Sequence, residues 1–373
     1  MTLFHELLPD RDDPRLDWPM IEEAFGWFRR MHECSQDPEF HAEGDVNIHT
    51  RMVCEALVAD AQWRSLAAEL RASLFWAALL HDVAKPDCTR IEASGRLVAP
   101  GHSRRGQIMA RQILWRMDAP FHQREQICHL VTHHQAPFYL VDRDDAVRRV
   151  HTISWQTRCD LLATLARADA NGRICPDRSR LLDNVALFAQ LGREQSCYDA
   201  PRPFASAHSR FLYFRTPDRA AEYEAFDDWE TTVTLMSGLP AAGKNTWLAA
   251  NADVGEIISL DELRTELDVD PSDAQGPVVA AARARARDAL RAKRPFIWNA
   301  TNISRRIRGS LIDLFAAYRA KVTIVYLETG ERELKRRNAA RARPVPDKAL
   351  TRMLDHWEVP DLTECHDLVL GAW

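Results

Sequence analysis

Through the first 200 residues, apolar side chains recur at intervals of three and four, as in Leu66, Leu70, Leu74 and Ala77. That spacing follows the 3.6-residue turn, so each apolar set lines one face of a helix. It predicts helices over Trp18–Cys34, Ile48–Ala59, Trp63–Leu80, Ser103–Arg116, Phe121–His133, Ser154–Ala168 and Arg180–Gln195, with strand signals nearly absent. From Thr231 the rhythm changes to short β-branched runs, Val233–Met236, Ile257–Leu260, Phe296–Trp298 and Val322–Leu327, separated by helical stretches. Strands alternating with helices make a parallel sheet. Between the two patterns lies Tyr198–Asp228, whose Pro201, Pro203, Pro217 and aromatics read as irregular chain. The expected fold is multidomain: an all-α domain over residues 1–200, a connector over 201–230 and an α/β domain over 231–373.

Composition changes this picture little. Of the 373 residues 46% are hydrophobic and 28% charged, enough for a core in each half, and no apolar run is long enough to span a bilayer. The first fifteen residues carry acids and arginines with no apolar h-region, so the expectation is a cytoplasmic protein with no membrane partner. Eight cysteines without a paired CxxC argue against both a disulfide framework and a thiolate zinc site. At a net charge of −5, any nucleic-acid partner has to be met by a local basic patch.

Chemistry enters with Gly238-Leu239-Pro240-Ala241-Ala242-Gly243-Lys244-Asn245-Thr246, which follows a strand-like run and leads into a helical one. Glycines let the backbone curl so that its N–H groups face an anion, and the lysine reaches the outer phosphates. The expected ligand is ATP or another nucleoside triphosphate with Mg²⁺, held by Gly238, Ala241, Ala242, Gly243, Lys244, Asn245 and Thr246. Asn245 occupies the place of the usual Ser or Thr hydroxyl on Mg²⁺, which leaves Thr246, the Asn245 carbonyl oxygen or water to help hold the metal.

Further along, Asp261 follows the second strand with Arg264 one helical turn on, on the same face. Asp261 can take the proton of an acceptor hydroxyl, or it can simply cap a helix. A third strand ends in the polar run Asn299-Ala300-Thr301-Asn302. Arg337 and Arg341 then share a helical face that Pro344 ends, either as a lid over donor phosphates or as a solvated basic face. Arg283, Arg287 and Arg291 form another stripe, open to the same two readings, with nucleic-acid backbone as its ligand.

Over about residues 230–373 these pieces resemble the P-loop polynucleotide kinase family, with its Gly-rich loop, Asp-x-x-Arg, a strand ending like Asp-Ala-Thr-Asn, and an Arg-Asn-x-x-Arg lid. The resemblance implies a helical lid on the sheet, Asp261 as general base, Arg264 as acceptor-phosphate ligand, and Lys244, Arg337 and Arg341 as the phosphoryl clamp. Asn299 stands where that family has an aspartate and Asn245 where it usually has a hydroxyl; both departures weaken the Mg²⁺ assignment more than the fold.

In the helical half, His49, His81-Asp82, His102, His133-His134 and Asp169 each fall on or near a predicted helix. The apolar run Leu74–Leu80 delivers His81-Asp82 to the end of a buried helix, where an unpaired ionisable pair is unfavourable and metal ligation removes the penalty. Imidazoles and carboxylates suit Mn²⁺, Fe²⁺, Co²⁺, Ni²⁺ or Zn²⁺, and two such ions can polarise a phosphate and activate a water. Lys85 and Arg104, beside these residues, read either as phosphate ligands or as solvated side chains. Over roughly residues 20–195 this half resembles the HD phosphohydrolase superfamily, in the order of its histidines and in Leu80-His81-Asp82-Val83-Ala84-Lys85-Pro86 and Gly101-His102-Ser103. The resemblance implies one metal on His49, His81, Asp82 and Asp169 and a second on His102 and either His133 or His134, with Asp82 shared.

A fusion of two such domains resembles a bacterial nucleic-acid end-healing enzyme. What that implies is phosphorylation of 5′-hydroxyl ends of DNA or RNA and hydrolysis of 3′-phosphate or 2′,3′-cyclic phosphate ends, giving termini that a ligase can join. A small-molecule kinase joined to a nucleotide-hydrolysing domain, and a nucleotide-sensing regulatory protein, are the competing expectations.

Overall fold

A computed structural model describes residues 3–251, 255–270 and 273–372. The chain divides into two compact units, Met1–Pro203 and Phe204–Trp373.

The first unit is helical, built around Ala68–Leu80, whose side chains are buried without a break from Ala72 to Leu80. A helix apolar on every side belongs inside a bundle. Val46–Ala59, Phe121–His133 and Cys159–Asn171 pack against it. Asp45 caps the first of these by accepting from the Ile48 amide at 2.8 Å. Among the described residues this unit's strands are β1 (Arg90–Ile91) and β2 (Leu97–Val98), an antiparallel pair.

Three expected helices are interrupted. Trp63–Leu80 breaks at Leu66 and Ala67, both extended; Trp63 turns inward and donates its indole N–H to Arg71 O at 3.1 Å, while Arg71 donates back to Leu66 O. Trp18–Cys34 breaks at buried, extended Phe25 into Trp18–Ala24, Gly26–Arg29 and a 3₁₀ turn, Arg30–Glu33. Ser154–Ala168 straddles a turn between Ala146–Ser154 and Cys159–Asn171. In each case the apolar period carries on past a change of chain direction, which periodicity alone does not register.

The second unit holds a five-stranded, fully parallel sheet: β3 (Thr231–Ser237), β4 (Glu256–Ser259), β5 (Phe296–Asn299), β6 (Ala320–Glu328) and β7 (Asp367–Ala372), in the spatial order β4-β5-β3-β6-β7. The edge strand β7 was not among the expected elements. Because β3 is central and β5 and β6 run parallel beside it, the chain segments leaving β3, β4 and β5 emerge at one edge, where ligands sit in such sheets. The expected connector is not irregular throughout. Its helix Ala207–Arg215, capped by Ser206, places Phe211 in the core of the sheet unit, and Arg210 donates to Leu362 O at 3.1 Å. No described helix is long and apolar enough to cross a membrane.

Candidate functional site

In the helical unit, five separate elements deliver His49, His81-Asp82, His102, His134 and Asp169 to one buried locus. Their polar atoms fall into two groups, His49–His81–Asp169 and Asp82–His102–His134. Asp82 joins them: its Oδ2 lies 3.1 Å from His81 Nε2, and its Oδ1 lies 3.3 Å from His102 Nε2 and 3.8 Å from His134 Nε2.

Hydrogen bonding at the far side of each ring decides what the near side offers. His81, His102 and His134 place Nδ1 at 2.7, 2.7 and 2.8 Å from the carbonyls of Ala78, Ala99 and Val131. A carbonyl only accepts, so Nδ1 carries the proton and Nε2 of the neutral ring keeps its lone pair. His49 Nδ1 sits 2.9 Å from Glu43 Oε1, off the line of a good hydrogen bond but with the same preference. The Nε2 atoms then face one another, His49 to His81 at 3.3 Å and His102 to His134 at 3.4 Å. In the neutral rings lone pairs are thereby brought close together, an arrangement that a cation between them would stabilise. Asp82 Oδ1 is moreover a buried acceptor without a hydrogen bond among the described residues.

Charge points the same way. Glu43, Asp82 and Asp169 are three buried carboxylates against two cations, Lys85 and Arg173. Burial would push the Asp82 carboxyl up, but Lys85 and then His81 hold it well below its ordinary range. Burial likewise opposes a charge on His81, yet Asp82 and Asp169 outweigh it and raise its pKa, whereas burial pushes His134 down to about 3. A donor set of imidazoles whose Nε2 atoms turn inward, together with ionised carboxylates, fits divalent transition-type ions.

Of the two adjacent histidines, His134 enters the cluster. His133 turns out of it, with Nε2 2.8 Å from Gln156 Oε1, so of the two alternatives left open only His134 stands with the other donors. His134→Gln is expected to lower the divalent-metal content of the purified protein and His133→Gln to leave it unchanged, as read by elemental analysis. Lys85 does not lie in solvent: it is buried and donates to Asp82 Oδ2 at 2.8 Å and to Gln36 Oε1 at 2.6 Å. Sequence reasoning missed Glu43, Gln36 and Arg173. The first two carry no local signal, but Arg173 lies only four residues after Asp169, just beyond the end of the Cys159–Asn171 helix, and grips it with two bonds of 2.8 Å.

In the sheet unit the glycine loop leaves β3 through Gly238, at φ 144°, where a Cβ would lie 2.3 Å from Leu327 O. Only glycine fits there. The Gly238 amide donates to Thr301 O at 2.8 Å, and Asn302, itself at φ 44°, donates to Met236 O at 2.7 Å, so the segment just after β5 anchors the loop. Gly243, at φ 106°, opens the helix Lys244–Ala250.

A cleft of about 2030 Å³ gathers Lys244, Asn245, Asp261, Arg264, Asn299, Arg337 and Arg341 around this loop. Asp261 stands in the first turn of Leu260–Glu266, directly after β4; Ser259 caps that helix, so Asp261 does not serve as its cap. Arg264 pairs with Asp261 and donates to Gln275 Oε1 at 2.6 Å. Arg337 lies over the loop, since a Cβ on Gly243 would come within 3.7 Å of its guanidinium. Arg341 does not continue that helical face: the helix ends at Ala339, and Asn338 holds the following turn through two bonds to Val345. Both arginines nevertheless line the cleft.

A match to a known family now accompanies this geometry: residues 233–360, about a third of the chain, fit the sequence model of a family described as AAA domain. These residues hold the phosphate loop, most of β3, all of β4, β5 and β6 of the parallel sheet, and the cleft around the loop. Solved structures similar to the chain include one described as a candidate kinase of Chloroflexus aurantiacus, at 14% identity and TM-score 0.33, covering 39% of this chain and 86% of that one. Another is a sugar kinase from Janibacter sp., at 17% identity and TM-score 0.30, covering 38% and 85%. No curated protein matches the chain.

Within the loop Lys244 is only partly covered, yet its Nζ turns inward and donates to the carbonyls of Gly238 and Leu239 at 2.8 Å each. Desolvation there pushes it down to about 8, with Asp261 opposing and Arg341 adding to the shift. A bound triphosphate favours the charged ammonium, so nucleotide affinity is complete below that value and declines as pH rises through it. Calorimetry at pH 7 and pH 9.5 is expected to show affinity weakening by up to roughly tenfold per pH unit above about 8. Lys244→Met is expected to bind weakly at both pH values and to lose the dependence.

Proposed function

We propose that the chain is a bifunctional nucleic-acid end-healing enzyme: a P-loop polynucleotide kinase for 5′-hydroxyl ends, joined to an HD-type phosphoesterase for 3′-phosphate and 2′,3′-cyclic phosphate ends. The observation that carries the kinase half is the single cleft that gathers Lys244, Asp261, Arg264, Arg337 and Arg341. In this reading Asp261 takes the proton of the attacking 5′-hydroxyl, its carboxylate aimed by Arg264. Arg264 also holds the phosphate next to that hydroxyl. Lys244, Arg337 and Arg341 surround the transferring phosphoryl group, whose charge is shared with Mg²⁺ when the nucleotide is bound.

For the helical half, the support is the convergence of imidazole lone pairs and two carboxylates on one buried locus. His49, His81, Asp82 and Asp169 would hold one divalent ion and Asp82, His102 and His134 another; Lewis acidity is what such ions supply to phosphoester hydrolysis. Around them Arg173 fixes Asp169, Lys85 fixes Asp82, and the carbonyls of Ala78, Ala99 and Val131 fix the ring tautomers.

One observation favours a second reading, a kinase for a small hydroxylated molecule: beside Arg264 the cleft is also lined by Asp268, Asp270 and Asp273, which would repel a second phosphate. Labelled ATP offered with a 5′-hydroxyl oligonucleotide, and in parallel with sugars and polyols, tests the proposal. Label on the oligonucleotide is expected. Label on small acceptors alone would sink the end-healing reading.

A further inference from the structure

At the carboxyl edge of the sheet, the residue after Lys244 and the last residue of β5 meet: Asn299 Nδ2 lies 3.4 Å from Asn245 Oδ1. Phosphate loops ordinarily hold the nucleotide's cation with a Ser or Thr hydroxyl at the first of these places and an aspartate from a neighbouring strand. Here both are carboxamides, and Asn245, Thr246 and Asn299 line the same cleft as Lys244. Of the carboxylates beside the two amides, Asp261 is paired with Arg264, and Glu262 stands next to it in the same helical turn. An amide oxygen is a neutral, hard donor that suits Mg²⁺ or Mn²⁺. Two amides in contact can each turn an oxygen toward a cation once their mutual bond is released, because the N and O ends of a carboxamide exchange by a half-turn.

Building on the kinase reading, we propose that Asn245 and Asn299 act as an uncharged clamp for the nucleotide's divalent cation. The donor site thereby takes metal almost wholly on the charge of the nucleotide's phosphates. Its two consequences have opposite signs. Without a fixed carboxylate the site does not repel metal-free nucleotide, and it holds the cation weakly when nucleotide is present.

Mn²⁺ binding read by electron paramagnetic resonance on the full-length protein, with a non-hydrolysable ATP analogue present and absent, tests this without turnover. Asn299→Asp is expected to tighten Mn²⁺ in the ternary complex by roughly tenfold or more and to weaken metal-free nucleotide by a comparable factor, since a charge placed near a divalent ion and near phosphates acts on each with opposite sign. Asn245→Ala is expected to weaken Mn²⁺ several-fold, and by a larger factor than it weakens metal-free nucleotide. If neither variant moves Mn²⁺ affinity although the analogue still binds, the clamp is overturned and the kinase reading stands. If the wild-type protein binds no nucleotide under any metal, both fall together.

Discussion

Replacing His81 and Asp82 together with alanine is expected to strip divalent metal from the helical unit and to end hydrolysis of a 3′-phosphate oligonucleotide. Asp82 is the residue shared by both donor groups, with one oxygen toward His81 and the other toward His102. Its removal also leaves Lys85 buried without its carboxylate, and breaking a buried ion pair from one side costs on the order of 3–5 kcal/mol. A milder variant, Asp82→Asn, keeps the volume and serves where the double variant unfolds. Phosphorylation of 5′-ends should survive in both, because the sheet unit has a core of its own around Val233, Ile324 and Phe296. Metal analysis and the two assays, run side by side with Mn²⁺, Ni²⁺ or Mg²⁺, decide the matter. Undiminished hydrolysis by a metal-free variant would reduce the histidine cluster to packing.

Asp261→Ala should abolish phosphoryl transfer while nucleotide still binds. Removal of a positioned base lowers a rate by roughly 10²–10⁴. Asp261 is mostly exposed although ion-paired, and is no part of the core, so the variant should melt like the parent protein. Arg264→Ala offers the contrast. It keeps the base but frees the carboxylate, and it should raise the KM for a polynucleotide acceptor more than it lowers kcat. Native transfer by Asp261→Ala would show that another group takes the proton.

Much of the architecture was legible in the residues because it rests on local rules. The change from a three-and-four rhythm to short β-branched runs separates the helical unit from the sheet unit, and the structure divides at Pro203. The phosphate loop was legible because strand, glycines and lysine are contiguous, and a backbone that must pass φ 144° at Gly238 admits little else. The spacing of Asp261 and Arg264 put them on one face, and they pair.

What spacing leaves undecided depends on where a helix stops. His133 and His134 are indistinguishable as letters; only the roll of the Phe121–His133 helix against its neighbours turns the second ring inward and the first toward Gln156. Arg341 read as one turn beyond Arg337, but the helix ends at Ala339, and a loop bend brings it to the same cleft.

The sequence by itself thus determined the two fold classes, the loop and the identity of most converging side chains, because periodicity and turn chemistry act over a few residues. The tertiary structure alone decided which imidazole nitrogens face one another, that Glu43 stands behind His49, and that Asn245 meets Asn299. Those are contacts between segments tens of residues apart, and what places them is the packing of whole helices and the register of parallel strands, which no local pattern encodes.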